Sequence, residues 1–137
     1  MTDTLLKRAL LANASFSILC SIGIFTFTSE LSAIFAGIAP LYLQTLGGGL
    51  FMFAVNVIWI ARKSPIVLKE AKLVTIADWG WVAGSAVLIA MTSDALSLLA
   101  IDMIIGIAVV VALFAIFQAK GMKRIQNENS DVGFSAS

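Results

Sequence analysis

Apolar residues in this chain are gathered into four long runs instead of alternating with polar ones. Each run is close to the ~20 residues that a membrane-spanning helix needs. We place the four spans at about residues 9–28, 41–61, 73–91 and 96–118. The strands of a membrane barrel would show apolar residues at every second position, so the unbroken runs favour helices.

The segments outside the spans differ in character. Residues 29–40, between the first two spans, carry apolar side chains at the i, i+3, i+4, i+7 spacing of an amphipathic helix. These side chains are Leu31, Ile34, Phe35 and Ile38. We expect this segment to lie along the outer membrane surface. Residues 123–137 are mostly small and polar, which predicts a disordered cytoplasmic tail.

Composition supports the same class of protein. Hydrophobic residues make up 60% of the chain and charged residues 12%, against roughly 45 to 50% and about 25% in soluble domains. We therefore predict an all-α membrane protein, a four-transmembrane-helix bundle whose residues 1–122 form a single domain in the lipid bilayer.

The basic residues predict the orientation of the bundle. All nine fall before the first span, between the second and third, or after the fourth. They are Lys7, Arg8, Arg62, Lys63, Lys69, Lys72, Lys120, Lys123 and Arg124. By the positive-inside rule, both termini face the cytoplasm.

Several functions are excluded by residues that the chain lacks. It has no histidine, which removes histidine-ligated haem, zinc and copper, and a lone Cys20 cannot form an internal disulfide. No phosphate-binding loop and no Ser/His/Asp set is present. We expect no catalytic residues, metal or cofactor, and no enzyme activity. The basic residues follow a membrane face, so nucleic-acid binding is not expected either.

Polar residues inside the spans are the candidates for function. Asn13, Asn56 and Asp78 each stand five or six residues from a basic residue at the cytoplasmic edge, which places them about 8–9 Å inward in one layer. The layer is either structural or a proton or cation site. In the structural alternative the carboxylate forms an ion pair with Arg8 or Arg62, bent inward, or accepts hydrogen bonds from the two amides. Gln44 and Asp102 form a second pair about 27 Å from the cytoplasmic cations.

Glycines mark surfaces where helices can approach closely. Gly80 and Gly84 form a G-x-x-x-G motif that Ala77 extends, and Gly47, Gly48 and Gly106 lie within other spans. The partner helix belongs either to the same chain or to a second copy.

The two halves of the chain show a weak internal similarity. Asn13 aligns with Asp78 at an offset of 65 residues, and Gln44 aligns with Asp102 at an offset of 58. We take this pattern as a hypothesis of two parallel-repeated hairpins, with Asn13 and Asp78 facing each other across an axis along the membrane normal.

Three stretches carry a resemblance to known proteins: "LLANASFSILCSIGI", "LGGGLFMFAVNVIWIAR" and "ADWGWVAGSAVL". Over roughly residues 5–120 the chain resembles an uncharacterised bacterial family of small four-helix integral membrane proteins. The resemblance implies a four-span fold and the bacterial inner membrane, and it transfers no activity. Small multidrug transporters are similar in size and span count, but their essential glutamate lies in the first span, where this chain has Asn13.

Two classes of function remain. The first is a small structural or accessory membrane protein that packs with itself, as a homo-oligomer, or with a larger membrane complex. The second is a proton- or cation-coupled small transporter or channel that uses Asp78, with Asp102 as an outer station. The shallow depth of both carboxyls favours the first class.

Overall fold

The computed structural model describes residues 4–63, 66–92 and 94–136, with side chains described as far as Glu128. Within these ranges the chain is all-helical, and the helices are α1 (Thr4–Thr26), α2 (Thr28–Ile34), α3 (Pro40–Arg62), α4 (Leu68–Thr92) and α5 (Leu98–Ala136). Four of them, α1, α3, α4 and α5, are long and apolar enough to cross a membrane. The prediction of an all-helical chain with four helices long and apolar enough to span a membrane is confirmed for the described residues.

Helix ends differ from the predicted span ends where basic residues flank the apolar runs. The predicted spans begin at residues 9 and 73, whereas α1 begins at Thr4 and α4 at Leu68. Once a helix is nucleated, each added residue contributes a hydrogen bond, so the helix continues beyond the apolar layer. Hydropathy locates the part of a helix that lies in lipid and does not locate its end.

The predicted disordered tail is helical in the structure. From residue 123 onward α5 continues without interruption to Ala136. Met122 and Ile125 pack against the hydrophobic core, so the last turns of the described side chains are held by tertiary contacts. Composition alone favoured disorder because it could not show that α5 already provides a helix to extend.

The predicted outer amphipathic segment is only partly helical. Helix α2 is seven residues long and ends at Ile34. The chain then turns through Ala36 and Gly37, whose φ angles are 59° and 74°, before Pro40 begins α3. This left-handed pair reverses the chain, and a continuous helix over residues 29–40 is therefore excluded.

The long helices pack in the order α3, α1, α5, α4. Helix α1 packs along α3 and against α5, and α5 packs along α4, whereas α3 and α4 barely touch. The hairpins α1/α3 and α4/α5 are thus joined along α1 and α5 and separated between α3 and α4. A repeat of the two hairpins would make these two interfaces equivalent. The α1–α5 interface is closed and the α3–α4 interface is open, so the helix packing does not confirm the repeat, which stays a prediction.

The hydrophobic core lies at one end of the bundle, where α1 and α4 begin and α3 ends; we call this the terminal end. Its buried residues come from α1, α3, α4 and the α3–α4 connection. They are Leu6, Leu10, Ala14, Ala54, Val57, Ala61, Ile66, Ala71 and Val74. Many large apolar side chains elsewhere on the long helices are exposed, as expected where lipid is the solvent.

Two glycines mark close helix contacts. A Cβ atom at Gly121 of α5 would lie 2.8 Å from the backbone N and Cα of Leu6 in α1. A Cβ atom at Gly47 of α3 would lie 3.2 Å from the side chains of Ile24 and Phe25. Ser21 of α1 also donates a hydrogen bond to the Gly47 carbonyl oxygen, at 2.8 Å. Gly47 was among the predicted packing residues, and Gly121 was not.

The other predicted packing glycines do not lie at a helix contact within this chain. A Cβ atom at any of them would meet nothing within 4 Å. They are Gly48, Gly80, Gly84 and Gly106. The sequence shows that a helix face is small but not which way it points, and these faces point away from the neighbouring helices of the chain. Packing at these positions therefore requires another molecule.

Candidate functional site

A buried polar network joins three of the long helices near the terminal end. Asp78 of α4 is 3% exposed, and both of its hydrogen bonds are accepted by one carboxylate oxygen, Oδ2. Asn13 of α1 donates from Nδ2 at 2.7 Å, and Gln118 of α5 donates from Nε2 at 3.1 Å. The network therefore ties α1, α4 and α5 together inside the apolar layer.

The orientation of the Gln118 amide is set by a fourth residue. Gln118 is fully buried, and its Oε1 accepts a hydrogen bond from Thr75 Oγ1 at 2.9 Å. The same hydroxyl lies 3.1 Å from the carbonyl oxygen of Ala71, so its single proton is shared between two acceptors. With its oxygen engaged in this way, Gln118 presents its nitrogen to Asp78.

The structure brings together two of the three residues predicted to share the inner layer. Asn13 contacts Asp78, whereas Asn56 is exposed on α3 and makes no side-chain hydrogen bond within the described chain. Depth along a span follows from the helical rise, but the direction in which a side chain points does not.

Gln118 was missed because it was taken as the end of the fourth span. An amide in the last apolar turn, two residues before Lys120, was the available signal. Lys120 places its amine 5.9 Å from the centre of the Phe117 ring, which lets the charge lie at the membrane edge while Gln118 points inward.

The predicted outer pair is not a pair in the structure. Gln44 and Asp102 are both exposed, and no hydrogen bond or ion pair joins them within the described residues. Equal depth again did not mean proximity, because α3 and α5 lie on different sides of α1. The ion pair in the described chain joins Lys63, just after α3, to Glu70 in the first turn of α4, at 2.7 Å.

The gap between α3 and α4 is a large cleft whose lining is almost entirely apolar. Its volume is about 930 Å³, and its floor at the terminal end contains Asp78 and Asn13. The cleft extends along α1 from Asn13 to Ile24, a rise of about 16 Å. The apolar residues of the α2 segment close the far end. They are Leu31, Ile34, Phe35 and Ile38.

Among the described residues, the side chains that line the cleft include acidic ones and no basic ones. Asp78 lies at the floor and Glu30 at the far end, and no lysine or arginine is found in the lining. Asp78 has no basic group within ion-pair distance in the described chain. The expectation that Arg8 or Arg62 bends inward to pair with Asp78 is therefore not met in the structure.

One oxygen of Asp78 is open to the cleft. Oδ1 accepts no hydrogen bond from the described residues. Every fully enclosed side-chain oxygen or nitrogen among these residues has a hydrogen-bond partner, so Oδ1 is not fully enclosed. Oδ1 therefore retains access to the cleft that Asp78 lines. Ser17 lies one helical turn beyond Asn13 and is 5% exposed. Its hydroxyl also lacks a hydrogen-bond partner among the described residues and retains access to the cleft. The floor thus carries two accessible polar atoms, each on a buried residue, with unused bonding capacity.

No protein family, curated protein or solved structure matches this chain in the comparisons made with known proteins. Its function must therefore be argued from its own residues.

Proposed function

We propose that this protein is a small structural or accessory membrane protein that associates laterally with copies of itself or with a larger membrane complex. The observation that supports the proposal is the uncovered small-residue face of α4, formed by Ala77, Gly80 and Gly84. Each of these residues is exposed, and a Cβ atom at either glycine would meet nothing within 4 Å.

Small residues on a lipid-facing helix favour association with another helix. Apolar side chains gain little by leaving lipid, so helix pairing in membranes depends on close van der Waals contact and on interhelical hydrogen bonds. Gly80 and Gly84 let a second backbone approach closely, and they lie one turn apart on the same side. Asn56 of α3, exposed in the apolar layer, adds a side-chain amide that can bond across such a contact.

We place the protein in the bacterial inner membrane with both termini in the cytoplasm. This orientation follows from the nine basic residues and the positive-inside rule. The terminal end of the bundle is then the cytoplasmic end, and α2 lies at the outer surface. Membership in the bacterial four-helix family that the chain resembles, and a parallel repeat of its hairpins, are part of the same proposal.

Replacing either glycine of the α4 face with isoleucine is expected to weaken association. A branched side chain would hold a partner backbone away, and the association constant of Gly80→Ile and of Gly84→Ile should fall at least tenfold, about 1.4 kcal/mol. Sedimentation equilibrium in density-matched detergent measures self-association, and copurification from native membranes measures a stoichiometric partner.

The matched control is Gly106→Ile, because Gly106 is also an exposed glycine with nothing within 4 Å but lies on α5. This variant should associate like the wild type. A wild-type chain that stays monomeric and copurifies with no stoichiometric partner would exclude the proposal, as would equal weakening by all three substitutions.

A second function is favoured by a specific observation, the open Oδ1 of Asp78 at the floor of the cleft. We propose as the alternative that the chain is a proton- or cation-coupled small transporter or channel that uses this carboxyl. Ionisable residues inside a membrane are rare and commonly mark an ion or proton pathway. Its network with Asn13 and Gln118 holds it at a fixed place between the helices.

In proteoliposomes with an imposed pH gradient, wild-type protein is then expected to dissipate the gradient faster than protein-free vesicles. Asp78→Asn should slow this flux at least tenfold because the amide cannot carry a proton. Asp102→Asn should leave it unchanged, because Asp102 is exposed outside the cleft lining and is therefore not retained as an outer station in this proposal. A fluorescent pH indicator inside the vesicles gives the rate. Flux no faster than in protein-free vesicles would exclude the transport function.

A further inference from the structure

The cleft between α3 and α4 is a feature of the molecule that lateral association does not explain. Its volume of about 930 Å³ lies within the range of about 300–1,000 Å³ that is typical of small-molecule sites. Such sites combine an apolar lining with a few polar groups that fix the orientation of the ligand. Here the polar groups are concentrated at one end.

The charge of the lining determines which ligands are compatible. Asp78 and Glu30 are its ionisable acids, and it contains no lysine or arginine among the described residues. An anion in the cleft would meet two carboxyls without a compensating charge. A cation near Asp78 would relieve the cost of holding a carboxylate in a medium of low polarity.

Geometry at the floor supports the same conclusion. Asn13 and Gln118 bond the Oδ2 atom of Asp78 and leave Oδ1 open to the cleft, and the buried hydroxyl of Ser17 lies one turn above. The aromatic rings of Phe16 and Trp81 line the cleft beside these groups. Oxygen acceptors together with aromatic faces are the surroundings that organic cations prefer in proteins.

We propose that the cleft is a binding site for a lipophilic organic cation, whose charge is held by Asp78 and whose apolar body fills the space towards α2. The site requires neither self-association nor the movement of any ion, so it can exist whichever function is correct.

A free cation fits better than a phospholipid with an amine headgroup. The phosphate of such a lipid would lie close to the Asp78 carboxylate and be repelled by it. Asp78 also stands six residues inside Lys72, about 9 Å towards the membrane centre, which is deeper than the headgroup layer where the basic residues of the terminal end are placed.

The test compares two ions of nearly the same shape and opposite charge. Purified full-length protein in a non-ionic detergent is titrated with radiolabelled tetraphenylphosphonium and, separately, with tetraphenylborate, and the uptake of protein-free micelles is subtracted. We expect saturable binding of one phosphonium per chain, at least tenfold tighter than any saturable binding of the borate. This comparison uses only the wild-type protein, so it does not depend on how a variant folds.

Variants then locate the site. Asp78→Asn should weaken phosphonium binding at least tenfold, whereas Asp102→Asn, which removes an exposed carboxyl outside the cleft lining, should leave it unchanged. Equal binding of both ions, or an unchanged affinity in a folded Asp78→Asn protein, would show an unselective apolar groove such as one for lipid tails and overturn the proposal. Absence of saturable phosphonium binding to the wild type would overturn it as well.

Discussion

Replacing Gly121 with alanine is expected to destabilise the protein, although alanine is the better helix former. The new Cβ atom would lie 2.8 Å from the backbone N and Cα of Leu6, and backbone atoms cannot rotate away as the end of a side chain can. Helices α1 and α5 would have to separate along their contact. Overpacking costs about 1–3 kcal/mol. A contact with backbone atoms belongs to the upper part of this range, above the gain of about 1 kcal/mol from replacing glycine in a helix.

Leucine at the same position should have a larger effect. Gly121→Leu adds three more carbon atoms at a crossing without space for one, and we expect a loss of about 3 kcal/mol or more in the free energy of unfolding. Because α1 and α5 form the closed interface between the two hairpins, this variant should also lose the contact of Asn13 with Asp78. Equilibrium unfolding in mixed detergent micelles, followed by circular dichroism, measures the free energy of unfolding of the alanine and leucine variants.

Gly106→Ala provides the matched control. Gly106 lies on the same helix, and its Cβ atom would meet nothing within 4 Å. The change should stabilise the protein slightly, by up to about 1 kcal/mol, through helix propensity alone. The two alanine substitutions are therefore expected to have opposite signs. If Gly121→Ala is as stable as Gly106→Ala, the close contact of α1 with α5 is wrong.

The second large effect is expected for Asp78→Leu. Leucine removes the acceptor of two hydrogen bonds and leaves the buried amide groups of Asn13 and Gln118 without their partner. An unsatisfied buried donor costs about 1–3 kcal/mol, while measured hydrogen bonds between membrane helices average about 0.6 kcal/mol. We expect a loss of about 2 kcal/mol in the free energy of unfolding, since both donors are affected.

Asp78→Asn should be much milder. The carbonyl oxygen of an asparagine side chain can take the place of Oδ2 and accept from both amides. We expect a change of less than about 1 kcal/mol by the same unfolding measurement, because Asn13 and Gln118 keep their acceptor and the new NH2 group takes the accessible position of Oδ1. Equal losses for the leucine and asparagine variants would show that the negative charge, and not the hydrogen-bond acceptor, holds the network together.

This contrast also supports the functional tests. A folded Asp78→Asn protein retains the network while losing the charge, so a loss of ion flux or of phosphonium binding can be attributed to the carboxylate. Asp102→Asn serves as the control in both tests, because Asp102 is exposed and lies outside the network.

The four spans could be predicted from the sequence because they depend on local properties. The length of an apolar run and the thickness of a bilayer determine where a helix can cross, and these helices are where the hydropathy places them. Depth within a span is equally local, since each residue adds a fixed rise. This is why Asn13 and Asp78 could be assigned to one layer before their 2.7 Å hydrogen bond was known.

The direction in which each side chain points was decided only by the tertiary structure. Asn56 and Gln118 both lie near the layer of Asp78, yet the first is exposed and the second is fully buried beside the carboxyl. In a soluble helix the apolar face would show which side is inside. Here apolar residues surround each span, and lipid is as suitable for them as another helix, so the sequence pattern carries little information about rotation.

The same reason explains the cleft and the glycines. The sequence does not show that Gly121 lies at a close helix crossing, or that Gly84 faces outward despite its G-x-x-x-G motif. Whether α3 and α4 meet or remain apart depends on how all four long helices fit together around the core at the terminal end. The sequence by itself determined the membrane class, the spans and the depth of the polar groups. Only the tertiary structure decided which of those groups meet and where a ligand could bind, because close packing and hydrogen bonds between helices select their rotation.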